Sequence, residues 1–91
     1  KNIRLEAVKA LGLMREKSAV PTMIKLLDDP FFDVRIETVR ALEKIFDYSA
    51  LFGLEKAMKT DKNRVVRSEA QKAYYSLKSR LEAAGFREPN A

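Results

Sequence analysis

Apolar side chains recur at every third or fourth position along most of the chain, which is the period of an amphipathic helix. In the first segment, the apolar stripe begins at Ile3 and continues through Ala7, Leu11 and Met14. Similar stripes follow, and turn-forming residues such as Pro30 separate them. The pattern predicts an all-α fold with five helices, near residues 2–14, 19–28, 33–46, 49–59 and 64–84.

The helical segments repeat along the chain. Nine-residue segments that begin at Ile3, Val34 and Val66 align without gaps, at offsets of 31 and 32 residues. All three read β-branched, Arg, any, Glu, small, any, basic, Ala, large, and the shorter segments 19–27 and 50–58 also align with each other. Two helices per repeat, stacked by a constant step, predict a right-handed α-solenoid.

The repeat also predicts the domain organisation. We expect a single domain over residues 1–85, with a partial repeat at 1–14, full repeats at 18–46 and 49–84, and a flexible tail at 86–91. Because the chain begins inside a repeat, we expect it to be a piece of a longer array whose uncapped N-terminal face self-associates.

Two strings, AVPTMIKLLDDPFFDVRIETVRALEKI and IRLEAVKALG, resemble HEAT repeats of the short type found in bacterial and archaeal proteins and in phycobilin lyase subunits. The resemblance covers residues 1 to about 81 and implies about two and a half helical hairpins. In that family, an aspartate in the turn precedes an arginine on the second helix by six positions, and the two form a ladder between repeats. The resemblance therefore implies a structural ladder of Asp29, Arg35, Asp61 and Arg67, and it leaves Arg4 without an aspartate.

The composition removes most catalytic chemistry. The chain has no Cys and no His, so it offers no thiol nucleophile, imidazole base or zinc-site ligand of those types. It also lacks a glycine-rich phosphate loop and a nucleophile elbow. We expect a protein that is not an enzyme and that needs neither a cofactor nor a metal. No apolar run is long enough to span a membrane, and we expect a cytoplasmic location.

Opposite charges follow the second helices at a spacing of three residues. We call this set the charged stripe, and it comprises Glu6, Lys9, Glu37, Arg40, Glu69 and Lys72. Stacking would align these residues on the concave face, where they form either a solvated lattice of ion pairs or a recognition surface for a mixed-charge peptide or helix. The function that we predict is a non-catalytic protein–protein interaction or scaffold module using this face.

The net charge of +5 is concentrated near the end of the chain. Residues 56–80 contain eight basic and two acidic residues, a balance of +6, and the other residues balance at −1. Four of the cations form a basic cluster suited to anion binding: Lys56, Lys59, Lys62 and Arg64. The alternative functions are therefore nucleic-acid or other polyanion binding through this region and, ranked last, a subunit similar to phycobilin lyases. The simpler interpretation of the charge is a solvated cap.

Aromatic residues lie near two of the turns. Of the pair Phe31 and Phe32, we expect one ring to pack against the following helix and the other to stay exposed, where it either completes the turn or anchors a partner. We expect Phe46, Tyr48 and Phe52 to pack the junction between the third and fourth helices.

Overall fold

The computed structural model describes residues 1–87, and within them it contains five α-helices and no strand. The helices are α1 (Asn2–Met14), α2 (Val20–Leu26), α3 (Phe32–Lys44), α4 (Ala50–Thr60) and α5 (Arg64–Ala83). The predicted all-α, solenoid-like fold of five helices is confirmed.

Two helices are shorter than the sequence predicts. A single 3₁₀ turn, Lys17–Ala19, takes the place of the first residue of α2, and Leu27 and Asp28 form a turn after its end. The helix α3 ends at Lys44 because Phe46 has a φ of 25°, which an α-helix cannot accommodate. The other three helices lie within one residue of their predicted bounds.

The helices form two layers. The second helices α1, α3 and α5 lie side by side in that order, while α2 packs on α3 and α4 packs on α5. Their inner faces make one core that includes fully buried apolar residues from every helix: Val8, Val20, Met23, Val39, Leu42, Leu54, Val66 and Leu77. Burial of these helical stripes is the main stabilising contribution in an array of short helices.

A glycine sets the distance between α1 and α3. A Cβ atom added to Gly12 would lie 2.8 Å from the Cβ of Ala41 and 3.0 Å from its Cα, closer than real Cβ contacts. The two helix backbones therefore approach closely at this point, and the pair of small residues permits it.

Additional polar contacts join α3 to α5 at the end away from the turns. The Ser76 hydroxyl donates to Oε2 of Glu43 over 2.8 Å, and Nη2 of Arg80 donates to the backbone carbonyl of Glu43. The position of α1 that corresponds to Glu43 is Gly12, which has no side chain to make such a contact with α3.

The chain after α5 folds back onto the domain. Phe86 packs against the core and stacks on Tyr48, with ring centroids 5.2 Å apart, so the domain extends beyond the predicted boundary at residue 85. The remainder of the predicted flexible tail, residues 88–91, lies outside the described residues.

The aromatic side chains are more exposed than the sequence analysis expects. Phe31 and Phe32 are both exposed, so neither ring of the pair is buried. Phe52 is 69% exposed, and the expectation that it packs the junction between α3 and α4 is wrong. Its place on α4 turns the ring outward, while its neighbour Leu51 and, two positions on, Leu54 are buried.

Candidate interaction surfaces

A ladder of arginines and aspartates joins the repeats at the turn end of the second helices. The Nε of Arg35 donates to Oδ2 of Asp61 over 2.9 Å, and its Nη2 donates to Oδ1 over 3.3 Å. The Nη1 of Arg35 donates to the backbone carbonyl of Asp29 over 2.7 Å. The guanidinium thus uses a two-point fork toward the carboxylate of the following repeat and a single bond to the turn of its own repeat.

The first rung shows that one expectation is wrong. Arg4 does have an aspartate partner, because its Nε donates to Oδ2 of Asp29 over 2.6 Å and its Nη2 donates to Oδ1 over 3.4 Å. The six-residue spacing within a repeat places the arginine against the carbonyl of its own turn, whereas the carboxylate pairs with the arginine of the preceding repeat. Arg4 therefore has a carboxylate partner, supplied by the turn of the following repeat.

The electrostatics of Asp29 agree with this arrangement. Burial alone would raise the pKa of the Asp29 carboxyl, but hydrogen bonds from Arg4 and from the backbone N–H of Phe31 outweigh it and hold that pKa below its ordinary value. Asp29 is buried and stays ionised because both of these donors stabilise its charged form. The arginine–aspartate pairs Arg4–Asp29 and Arg35–Asp61 are thus formed within the protein itself.

The charged stripe pairs mostly with itself. The Nη1 of Arg40 lies 3.1 Å from Glu37 on the same helix, and its Nη2 lies 3.2 Å from Glu69 on α5. On α1, the Nζ of Lys9 lies 3.8 Å from Glu6. Arg40 therefore joins the α3 and α5 parts of the stripe on one face, while the α1 residues pair with each other; that this face is concave stays a prediction.

The basic cluster lies on α4, in the turn that follows it and at the first residue of α5. The four cations suggested for anion binding are all exposed: Lys56, Lys59, Lys62 and Arg64. The Nζ of Lys59 is 3.5 Å from a carboxylate oxygen of Glu55, one turn earlier on α4, so its charge is partly compensated. The remaining stripe residue, Lys72, is also exposed, on α5.

An open groove of about 610 Å³ runs between α2 and α4. Its lining combines apolar side chains, including Ile24 and the exposed Phe52, with the cations Lys56 and Lys62. The buried ladder residue Arg35 lies at one side of it. The groove therefore places part of the basic cluster next to an apolar surface on the layer of first helices.

The N-terminal face of the array is formed by α1 and presents apolar side chains. We call it the apolar edge of α1, comprising Ile3, Ala7, Ala10, Leu13 and Met14, all exposed. The three largest of these side chains are 86%, 73% and 65% exposed, for Ile3, Leu13 and Met14. The α3 positions that correspond to four of them are buried: Val34, Thr38, Ala41 and Ile45.

Among residues 1–87, no three or more acidic, His or Cys side chains are grouped so that they could hold a metal ion. In the same part of the chain, no helix combines the length and the apolar character needed to cross a membrane.

Comparison with known proteins agrees with the repeat geometry. A family model of HEAT repeats matches residues 1–74. The chain is 34% identical over 80 residues to an uncharacterized protein in the gldA 3′ region of Geobacillus stearothermophilus; the match covers 87% of this chain and 37% of that relative. The chain therefore spans little more than a third of the length of that relative. No solved structure matches this chain. Three aligned second helices, a ladder between repeats and the match over residues 1–74 show that the chain belongs to the HEAT-repeat family.

Proposed function

We propose that this chain is a non-catalytic protein-interaction or scaffold module, in which a partner binds the exposed surface of the second helices. HEAT repeats generally mediate protein–protein interaction or scaffolding. The observation that carries the proposal is the apolar edge of α1, which lies next to the charged stripe. Leu13 follows Glu6 by seven residues, so the two share a face of the helix, and the partner contacts apolar and charged groups together.

The shape of this surface favours a helical partner. The equivalent face of α3 is covered by α1 and α2, which pack against it as helices. Exposed apolar surface rimmed by polar side chains is typical of protein-binding sites. A partner helix that packs on Ile3, Ala7 and Ala10 would reproduce the packing that the next repeat already makes. Self-association through the same face is one form of this proposal.

A capture experiment tests the proposal. The chain is immobilised, and the proteins retained from its source organism are compared between wild type, Ile3→Glu, Leu13→Glu and the matched control Thr22→Glu, whose changed residue is exposed on α2. We expect a protein that wild type and Thr22→Glu retain and that both α1 variants lose. If all four chains retain the same proteins, the apolar edge is not the binding surface.

Light scattering tests self-association. A mass that rises with concentration in the wild type and stays monomeric in Ile3→Glu supports pairing of this chain with itself. A monomeric mass at every concentration excludes it and leaves a different protein as the partner. A cytoplasmic location remains part of the proposal, and imaging of the tagged protein in its source organism tests it.

The second candidate is nucleic-acid or other polyanion binding, which the exposed basic cluster favours. Its test is the fluorescence anisotropy of labelled duplex DNA and structured RNA at several salt concentrations. Phosphate binding requires an affinity that falls linearly with salt on logarithmic axes and that is lost when Lys59, Lys62 and Arg64 become Glu. Absence of binding at low salt identifies the positive charge as a solvated cap.

A further inference from the structure

The outer face of α5, the face turned away from α3, is mostly polar, and its basic residues lie near the beginning of the helix. On α3, Ile36 and Val39 precede Glu43 by seven and four residues, so they share the face through which Glu43 contacts α5. Both are buried in the core. The α5 residues at the corresponding positions are Ser68 and Gln71, both exposed. The position that corresponds to Glu43 is Tyr75, which is also exposed, so this face of α5 combines polar side chains with one aromatic ring, unlike the equivalent face of α3.

Arg67 is held on this face with its carboxylate-binding edge open. Its Nη1 donates to the backbone carbonyl of Asp61 over 2.7 Å, as Nη1 of Arg35 does to the carbonyl of Asp29 over the same distance. The Nε and Nη2 atoms of Arg4 and Arg35 each bind a carboxylate of the next repeat. No acceptor among residues 1–87 takes the Nε–Nη2 edge of Arg67.

A second cation on the same face repeats this arrangement. Arg40 on α3 reaches across to Glu69 on α5, with 3.2 Å between Nη2 and Oε1. The corresponding residue on α5 is Lys72, which is exposed and bonds no carboxylate of the described chain. Arg64 adds a third positive charge near the beginning of the face, and the acidic residue on this face, Glu82, lies eleven residues after Gln71, near the end of the helix. Arg67 and Lys72, whose counterparts on α3 pair with carboxylates of the next repeat, thus bond no carboxylate among residues 1–87.

We propose that the outer face of α5 binds an acidic helix of a protein partner, with the Nε–Nη2 edge of Arg67 as the carboxylate receptor and Lys72 as a second cationic contact. This inference rests on the proposed protein-binding function, but it concerns the opposite end of the array from the apolar edge of α1. On α3, Arg35 pairs with Asp61 and Arg40 pairs with Glu69. Two carboxylates of a partner helix, placed in the same way, would pair with Arg67 and Lys72. Asp61 and Glu69 are eight positions apart, at the turn and on the helix that follows.

A carboxylate fits this site better than a phosphate of nucleic acid. Both equivalent forks, on Arg4 and Arg35, bind a planar carboxylate through two parallel bonds. The bond from Nη1 to the Asp61 carbonyl orients Arg67 before a ligand arrives, so little side-chain freedom is lost on binding. A phosphate chain would instead be expected to use the exposed lysines of the basic cluster on α4 and the following turn, Lys56, Lys59 and Lys62.

The test uses ¹⁵N-labelled full chain and a synthetic alanine-rich helical peptide with Asp before its first turn and Glu eight positions later. The control peptide has Asn and Gln at those two positions. The side-chain Nε–Hε signals of Arg4 and Arg35 serve as internal references for carboxylate binding. We expect the Arg67 signal to move toward them with the acidic peptide, and the acidic peptide to bind about tenfold more tightly than the amide peptide, a difference of about 1.4 kcal/mol.

Variants separate the fork from simple charge. Arg67→Gln should remove the preference for the acidic peptide, and Arg67→Lys, which keeps the charge and loses the fork, should restore only part of it. Lys72→Gln should weaken binding by roughly two- to fivefold and, as an exposed change, keep the fold intact. The control Lys17→Gln removes one exposed charge in the 3₁₀ turn before α2, many residues from α5, and should bind like the wild type.

Three results would overturn the inference. They are an Arg67 signal that does not move, equal binding of the two peptides, and a short DNA duplex that shifts Arg67 at lower concentration than the acidic peptide does. The last result would assign the face to phosphate. Ile3→Glu should bind the peptide like wild type, and Arg67→Gln should keep the proteins that the apolar edge captures, so either proposal can fail without the other.

Discussion

The ladder can be tested by replacing Arg35 with methionine, which keeps most of the side chain's length and removes its charge and its donors. The Arg35 and Asp61 side chains are each only 6% exposed, and they are joined by two hydrogen bonds. Without Arg35, the Asp61 carboxylate keeps the backbone N–H of Asn63 as a donor but loses its counter-charge. Removal of one partner of a buried pair costs about 3–5 kcal/mol.

That cost is large for a domain of this size. A chain of 91 residues has a free energy of unfolding of roughly 5–14 kcal/mol. Each kcal/mol corresponds to about 4–8 °C in the melting temperature of a domain of 60–100 residues, so we expect Arg35→Met to lower it by at least about 12 °C. The control is Arg40→Met on the same helix, whose side chain is 49% exposed and whose ion pairs should contribute less than about 1 kcal/mol.

Urea denaturation followed by circular dichroism provides the assay, applied to a double-mutant cycle of Arg35→Met and Asp61→Asn. We expect the double variant to lose less stability than the sum of the two single variants, with a coupling energy of about 1–3 kcal/mol. The reasoning is refuted if Arg35→Met costs no more than Arg40→Met, or if the two changes in the cycle are additive.

Three further predictions follow from the packing, the helix cap and the pKa values. Gly12→Ala should destabilise the fold by about 1–3 kcal/mol in urea denaturation, despite the better helix propensity of alanine, and Ala41→Gly should restore part of the loss; an unchanged midpoint would show that the helices can separate freely. Asn63→Ala removes the side-chain oxygen that accepts two N–H groups at the start of α5 and should cost about 1 kcal/mol, with Asn63→Asp as the variant that retains the cap. Because the folded pKa of Asp29 lies below its ordinary value, its stabilising contribution is present above the ordinary aspartate pKa of about 4 and is lost as the pH falls through the lower folded value. Stability should therefore decrease from about pH 5 to pH 3 and decrease less steeply in Arg4→Met, and equal slopes would contradict the assignment.

The repeat determines how much of this architecture the sequence can predict. Offsets of 31 and 32 residues between identical patterns place every second helix in register, so the five helices and their packing order follow from local pattern alone. The end of α3 does not follow, because the positive φ of Phe46 depends on how the chain turns into α4. The same limit applies to Phe52, whose exposure depends on the rotation of α4 within its layer.

The ladder illustrates a second limit of sequence reasoning. A spacing of six identifies Asp29 and Arg35 as related residues but does not show that the contact uses a backbone carbonyl. The carboxylate pairs are separated by 25 and 26 residues, from Arg4 to Asp29 and from Arg35 to Asp61. That recurrence is present in the sequence, and it becomes interpretable only when the relative position of neighbouring repeats is known.

The two interfaces within the layer of second helices should differ under mechanical load. The helices α3 and α5 are fastened at both ends, by Arg35 at the turns and by Ser76 and Arg80 at Glu43. Within residues 1–87, the polar contacts of α1 with the next repeat lie near its beginning, at Lys1 and Arg4, whereas Gly12 at the other end packs on Ala41 without a polar side chain. Tension applied to the array would therefore separate α1 progressively, starting from the end at Gly12. The helices α3 and α5 would separate only after the contacts at both of their ends had broken.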